Sequence, residues 1–149
     1  MTQVRFYHLQ RQSQAQVLPV LLHKALERGH RILVKLSDAT EVSQMNDYLW
    51  TYDPNSFLPH GNAGNGFADK QPIFLTCKDE NPNNADVLIL GQGAEAEDLD
   101  GFSLCCDLLN GHDASDVNAA RARWKRYKES EYDITYWQQD DRGAWAQKA

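Results

Sequence analysis

The chain has 149 residues, 42% of them hydrophobic and 24% charged, which is typical of one globular domain rather than of a disordered chain. Its net charge of −6 at pH 7 argues against a general nucleic-acid-binding protein, because contacts with phosphates need a positive surface. No apolar run approaches the length of about 20 residues that is needed to cross a bilayer. The sequence also has no signal-peptide pattern and no CxxC pair among its cysteines. We therefore expect a cytoplasmic protein with reduced thiols.

The first part of the chain predicts a strand, a helix and a second strand. Residues 4–9 are rich in β-branched and aromatic side chains, which predicts a strand. In residues 14–28 the apolar positions recur at helical spacing, and Gly29 is suited to end that helix. Pro19 is tolerable there only in the first helical turn. Residues 31–36 form a nearly continuous apolar run, as expected for a central strand covered on both faces.

A second helix and a long connection follow. Ser37 or Asp38 can cap the helix. Residues 53–71 contain two prolines and three glycines, and we expect a structureless connection there, of the kind that is often functional. The inner stripe of the helix is predicted to consist of Val42, Met45, Leu49 and Tyr52.

The second half of the chain predicts four strands and one helix. Residues 138–149 have neither a strand nor a helix pattern and are predicted to be a loose tail. Trp137 is predicted to lie in the core, whereas Trp145 in the tail is either unstructured or a docking anchor. In chain order the predicted elements are strands at 72–76, 86–90 and 102–109, a helix at 115–128 and a strand at 132–137.

This order of elements predicts the α/β class. Strand–helix–strand units form parallel sheets with helices packed on their faces. The sequence contains no internal repeat and no linker that would divide it. We therefore expect residues 1–149 to form a single Rossmann-like, three-layer α/β/α domain with a mainly parallel sheet.

The sequence does not predict a catalytic, cofactor or metal site. Its histidines include no pair at i, i+4, and it has no HExxH and no GxSxG. The glycine-rich residues 61–66 do not end in the Lys-Ser/Thr of a phosphate-binding loop, so a nucleotide-using enzyme is the remotest alternative. Carboxylates in residues 79–100 lack the spacing of a calcium loop and indicate a solvated acidic face. We expect a non-catalytic protein without cofactor or metal.

The segment 119–128 combines basic and aromatic side chains on one predicted helix. An ordinary core helix with a solvated basic face is one interpretation. Crowded like charges repel each other, however, and Trp124 beside Arg121 and Lys125 would offer an apolar platform together with donors for carboxylates. We therefore predict a site for a short acidic peptide that ends in an apolar residue.

Single-stranded nucleic acid is the alternative ligand of this helix. Its phosphates would contact the cations and its bases would stack on Trp124. The acidic remainder of the protein would repel a long polyanion, which limits direct DNA contact to a weak one.

Two stretches resemble the chi subunit family of bacterial DNA polymerase III holoenzyme. The first is Leu49-Trp50, followed by Ser56-Phe57-Leu58-Pro59-His60 and Ala63-Gly64-Asn65-Gly66. The second is Arg121-Ala122-Arg123-Trp124-Lys125-Arg126-Tyr127-Lys128, where the family has a similar Arg-x-Arg-aromatic-Lys pattern. The likeness covers nearly the whole chain, with specific motifs only in these stretches. Val117 departs from the family, which has a lysine there, and Trp124 stands where a tyrosine is common.

The resemblance implies a replisome adaptor with a Rossmann-type fold and no nucleotide chemistry. Members of the family bind the acidic C-terminal tail of single-stranded DNA-binding protein, which ends in an apolar residue. They also bind the psi subunit, which links that tail to the clamp loader; here the link would run through psi or another clamp-loader subunit. By resemblance, the tail site comprises Arg121, Trp124 and Lys125, with Trp50, Phe57 and Leu109 as apolar walls.

Overall fold

The computed structural model describes residues 2–10, 12–53, 58–62, 64, 67–96, 99–140, 142 and 144–148. Phe57, one of the predicted wall residues, lies outside these ranges. The elements in chain order are β1 (Gln3–Leu9), α1 (Gln14–Glu27), β2 (Ile32–Lys35), α2 (Ala39–Thr51), β3 (His60–Asn62), a 3-10 turn (Ala68–Lys70), β4 (Ile73–Thr76), β5 (Val87–Leu90), β6 (Leu104–Asn110), α3 (Ala114–Glu129), β7 (Asp133–Gln139) and β8 (Trp145–Gln147).

The strands form one sheet in the order β3-β4-β2-β5-β6-β1-β7-β8. Strands β1 to β7 pair in parallel, and β8 alone runs antiparallel, beside β7, within the part of the chain that the structure describes. Such a sheet needs cover on both faces, because its parallel strands are apolar on both sides. The predicted α/β class with a mainly parallel sheet is confirmed.

Two cores lie on opposite faces of this sheet. On the first face, α1 and α2 bury Val17, Leu22, Val42 and Met45 against the strands. On the second face, the core includes Val4, Phe6, Leu109, Ala120 and Tyr127, and it is covered by α3 and by the segments around Ala94 and Leu99. Cys105 and Cys106 follow each other in β6 and enter opposite cores. The three layers therefore leave α3 on the face that α1 and α2 do not occupy.

Helix α1 begins earlier than its proline would suggest. Ser13 caps it in a reciprocal capping box with Gln16, so Pro19 lies inside the helix and beyond the first turn. The expectation that Pro19 occupies the first turn is therefore wrong. Its ring is buried, and its missing N–H donor removes one hydrogen bond of the helix. The helix ends as predicted, with Gly29 at a φ of 82°.

Two edge strands correct the predictions of a structureless connection and a loose tail. β3 pairs in parallel with β4, with His60 opposite Ile73, and β8 pairs with β7, with Ala146 opposite Gln138. Strands of three residues carry no measurable periodicity. Their backbone partners exist only once the sheet has formed.

Candidate functional site

Helix α3 is stabilised at both ends by charges that suit a helix. The Asp113 carboxylate accepts hydrogen bonds from the backbone N–H groups of Ser115 and Asp116, at 2.9 and 3.3 Å. Arg126 and Lys128 lie in the last turn, where cations interact favourably with the helix dipole. These terminal interactions favour a regular helix in the segment that carries the predicted site.

A buried ion pair fixes the rotation of α3 on the sheet. The guanidinium of Arg123 donates to both oxygens of Asp107 in β6, at 2.8 and 2.9 Å, and the two side chains are 2% and 0% exposed. Burial raises the pKa of Asp107 to about 6, although the hydrogen bonds and charge of Arg123 act to lower it. The two parallel hydrogen bonds are the geometry of a guanidinium–carboxylate ion pair. With Arg123 turned inward, Arg121 and Lys125 are exposed on the helix surface.

A groove of about 420 Å³ runs between α3 and the carboxyl halves of β1 and β6. The parallel registers create it, because they place His8 opposite Leu109 and Phe6 opposite Tyr136. We call it the α3 groove. Its lining residues are Phe6, His8, Leu109, Val117, Ala120, Arg121, Trp124 and Tyr136.

Trp124 forms one wall of the α3 groove and is half-buried. Its ring centroid lies 5.4 Å from that of Phe6 and 6.4 Å from that of Tyr136, in tilted and edge-on arrangements. The ammonium group of Lys128 lies 5.6 Å from the centre of the Trp124 ring. The indole is thus held by aromatic neighbours and remains available as an apolar platform with a cation above it.

His8 lies at the floor of the α3 groove. Its Nδ1 contacts the hydroxyl of Tyr136, and its Nε2 is buried without a hydrogen-bond partner. A side chain at Gly111 would collide with this ring. Burial, together with the nearby His112, lowers the pKa of His8. The lowered pKa favours the neutral form of the His8 ring in the groove lining.

The charge of the α3 groove is positive. Arg121 lines it and no Asp or Glu does, and Arg121 has no carboxylate partner among the described residues. Lys125 is exposed one turn further along α3 and lies outside the lining. The arrangement can hold a ligand that has an apolar group and, next to it, negative charge.

The structure brings together three of the predicted site residues: Arg121, Trp124 and Leu109. It adds walls that the sequence did not suggest, namely Phe6 and Tyr136. The only sequence signal for these two was the alternation of aromatic residues along the predicted strands. Their approach to α3 depends on pairing between strands that are far apart in the chain.

Trp50 does not join the α3 groove. It lies near the end of α2, the helix whose buried residues pack on the opposite face of the sheet, and its ring stacks 4.2 Å from that of His60 in the edge strand β3. Its side chain is 49% exposed. The expectation that Trp50 shares one site with Arg121, Trp124 and Leu109 is therefore corrected, because the sheet separates α2 from α3.

Other kinds of site find little support among the described residues. They include no group of three or more His, Cys, Asp or Glu that could hold a metal ion. His60, in the predicted functional loop, is buried with its ring nitrogens facing the carbonyl oxygens of Leu58 and Asn46, at 2.5 and 3.0 Å. Within the ranges described above, no helix combines the length and apolar character that a membrane crossing needs.

Residues 1–135 match the family model described as "DNA polymerase III chi subunit, HolC". The "Probable DNA polymerase III subunit chi" of Rickettsia prowazekii is 31% identical over 90 residues, which is 60% of this chain and 54% of that protein. The aligned region thus spans about half of that relative. The DNA polymerase III subunit chi of Pseudomonas aeruginosa is 26% identical over 137 residues, 90% of this chain and 94% of the relative. The Escherichia coli subunit is 24% identical over 107 residues, 71% of this chain and 72% of the relative.

Proposed function

This chain belongs to the DNA polymerase III chi subunit family, and on that premise we propose that its α3 groove binds the acidic C-terminal tail of single-stranded DNA-binding protein. The protein is then a non-catalytic adaptor of the replisome. The observation that carries the proposal is the union, in one groove, of aromatic walls and an arginine that has no carboxylate partner among the described residues.

The apolar end of the tail enters the groove between Trp124, Phe6 and Leu109. A volume of about 420 Å³ is within the range of about 300–1,000 Å³ that is usual for small-ligand sites. It accommodates an aromatic side chain and a neighbouring residue. Burial of that side chain supplies most of the binding energy, because apolar contact area contributes about 25 cal/mol per Å².

The carboxylates of the tail contact Arg121 and Lys125, which follow each other by one helical turn on the exposed surface. Arginine can hold a carboxylate through two parallel hydrogen bonds, whereas lysine acts as a point charge. Since no acidic side chain lines the groove within the described ranges, the tail does not have to displace a carboxylate from Arg121 there.

The Arg123–Asp107 pair preorganises the site. It prevents α3 from rotating about its axis, so Arg121 and Trp124 keep their positions when the groove is empty. A site that is already ordered loses less conformational entropy on binding. We assign this pair a positioning role.

The second part of the proposal is the link to the clamp loader, through a psi subunit or another clamp-loader subunit, at the replication fork in the cytoplasm. It requires a surface that remains accessible when the α3 groove is occupied.

Isothermal titration calorimetry with a synthetic acidic peptide that ends in Pro-Phe tests the tail site. We expect binding of micromolar order, about −8 kcal/mol. Arg121→Ala should weaken it by roughly 1–3 kcal/mol, because the carboxylates lose their charged donor. Trp50→Ala is the matched control and should bind like the wild type.

Absence of heat with the wild-type protein, or equal loss in Arg121→Ala and Trp50→Ala, would contradict the assignment. A single-stranded oligonucleotide that competes with the peptide for this groove would instead favour the nucleic-acid alternative, and its binding would show a steeper dependence on salt.

A further inference from the structure

A second hollow lies on the opposite face of the sheet from the α3 groove. It has a volume of about 200 Å³ and opens near the amino ends of β1, β5 and β6, beside the last turns of α1. We call it the amino-end hollow. Its lining includes four basic residues, namely Arg5, Lys24, Arg28 and His30, and three large aromatic residues, namely Tyr7, Trp137 and Trp145.

The charge around the amino-end hollow is unusual for this protein. The chain has 21 acidic and 15 basic residues apart from histidine, yet none of the described residues that line the hollow is Asp or Glu. His30 has a partner, since its Nδ1 lies 2.5 Å from the Asp86 carboxylate. Arg5, Lys24 and Arg28 have no carboxylate partner among the described residues. Three cations thus converge on one cavity, and no carboxylate in the described part of the chain pairs with them.

The helix dipole does not account for this cluster. Lys24 and Arg28 lie at the carboxyl end of α1, where cations are favourable by themselves. Arg5, however, comes from β1 and lies half-buried on the sheet, with its guanidinium 5.9 Å from the centre of the Trp137 ring. It comes from the sheet rather than from α1, and it adds a third cation to the hollow beside the two at the carboxyl end of the helix.

The walls of the amino-end hollow are aromatic. Tyr7 and Trp145 meet edge to face, with their ring centres 4.9 Å apart, and β8 holds Trp145 in place. The volume of about 200 Å³ is smaller than the pockets that usually bind drug-sized ligands, which start at about 300 Å³. The hollow therefore suits one planar group with negative charge on either side of it.

We propose that the amino-end hollow is a contact site for single-stranded DNA, in which one base lies against the aromatic wall and the flanking phosphates contact Arg5, Lys24 and Arg28. Single-strand sites combine this same pair of features, a basic rim and side chains on which bases stack. The proposal is independent of the tail site, because the sheet separates the two and both can be occupied together.

The acidic net charge limits this contact without preventing it. Charges further away than about 8–10 Å are largely screened at physiological salt, so a short segment is affected mainly by the nearby cations. Three phosphate contacts predict a slope of about −2 for the logarithm of affinity against the logarithm of salt concentration. A longer oligonucleotide would extend over the acidic remainder of the protein and would gain little additional affinity.

The test is fluorescence anisotropy of a labelled oligothymidylate with the full chain at low salt. The charge reversals Lys24→Glu and Arg28→Glu, made together, should reduce affinity at least about tenfold, because two phosphate contacts become repulsive. The matched control is Arg121→Glu with Lys125→Glu, which has the same spacing on a helix and the same change in net charge. It should stay within about twofold of the wild type.

Titration of both double variants with the acidic peptide separates this proposal from the tail site. We expect Lys24→Glu/Arg28→Glu to retain the peptide and Arg121→Glu/Lys125→Glu to lose it. If circular dichroism reveals misfolding of the first variant, Lys24→Gln replaces it, with a loss of about threefold expected. No oligonucleotide binding by the wild type, equal loss in both double variants, or loss of peptide rather than oligonucleotide in Lys24→Glu/Arg28→Glu would each overturn the proposal.

Discussion

The α3 groove and the amino-end hollow are built from the same kinds of side chain in different proportions. The α3 groove is the larger of the two and is mainly apolar, with a single arginine among the described residues of its lining. The hollow is about half its size and has three cations without a carboxylate partner in the described chain. The larger volume and apolar walls of the α3 groove favour an apolar side chain as its ligand. The higher density of positive charge around the hollow favours phosphates. The presence of both basic and aromatic residues therefore does not determine which class of ligand a cavity binds. The ratio of the two kinds of residue around the cavity determines it.

The two sites also differ in how they are held. The α3 groove depends on the buried Arg123–Asp107 pair, while the hollow is formed by the sheet itself and by α1. Asp107→Ala would leave the Arg123 guanidinium buried without its main partner. We expect it to lower the free energy of unfolding by about 3–5 kcal/mol, measured by urea denaturation.

The double replacement Asp107→Leu with Arg123→Met should restore most of that stability, because it removes both charges from the core. Lys125→Ala, on the exposed side of α3, should change stability by less than about 0.5 kcal/mol. A small effect of Asp107→Ala would mean that the groove is not held by this pair.

Trp124→Ala sharpens the comparison at the level of binding. Large aromatic anchors in interfaces commonly contribute about 2 kcal/mol or more when they are truncated. We expect a loss of that size for the acidic peptide in calorimetry and no significant change for the oligonucleotide in anisotropy. A variant that keeps its peptide affinity would place the apolar end of the peptide elsewhere on the surface.

The smallest predicted effect comes from His8. Because burial and His112 lower its pKa from 6.5, peptide affinity should be constant between pH 8 and 6.5 and rise at lower pH, as His8 gains a positive charge next to an anionic ligand. We expect an increase of roughly two- to fivefold. His8→Gln should abolish it.

The contribution of His8 to the stability of the free protein should follow the opposite trend over that pH range. The unfolded chain binds the proton more readily than folded His8 does, so this contribution to the free energy of unfolding falls as pH decreases below 6.5. The raised pKa of Asp107 contributes with the opposite sign, so the effect of His8 is taken from the difference between the wild type and His8→Gln. Calorimetry of the peptide, compared with denaturation at each pH, separates the two effects.

Much of the fold could be predicted because its elements carry local signals. The helices have apolar residues at helical spacing and a capping residue before each, as at Ser13, Asp38 and Asp113. The central strands are continuous apolar runs. The edge strands β3 and β8 could not be predicted, because three residues define no period and their pairing partners are set by the rest of the sheet.

The sequence by itself determined that one helix carries a dense set of cations and aromatic residues, since composition and helical period are local properties. Which arginine of Arg121-Ala122-Arg123 faces outward was decided only by the tertiary structure, because the partner of Arg123 is Asp107 in β6. Tertiary structure also separated Trp50 from Trp124 and joined Phe6 to Tyr136. The physical reason is that a groove is a property of neighbouring strands and helices, and parallel strands become neighbours through connections that no local pattern records.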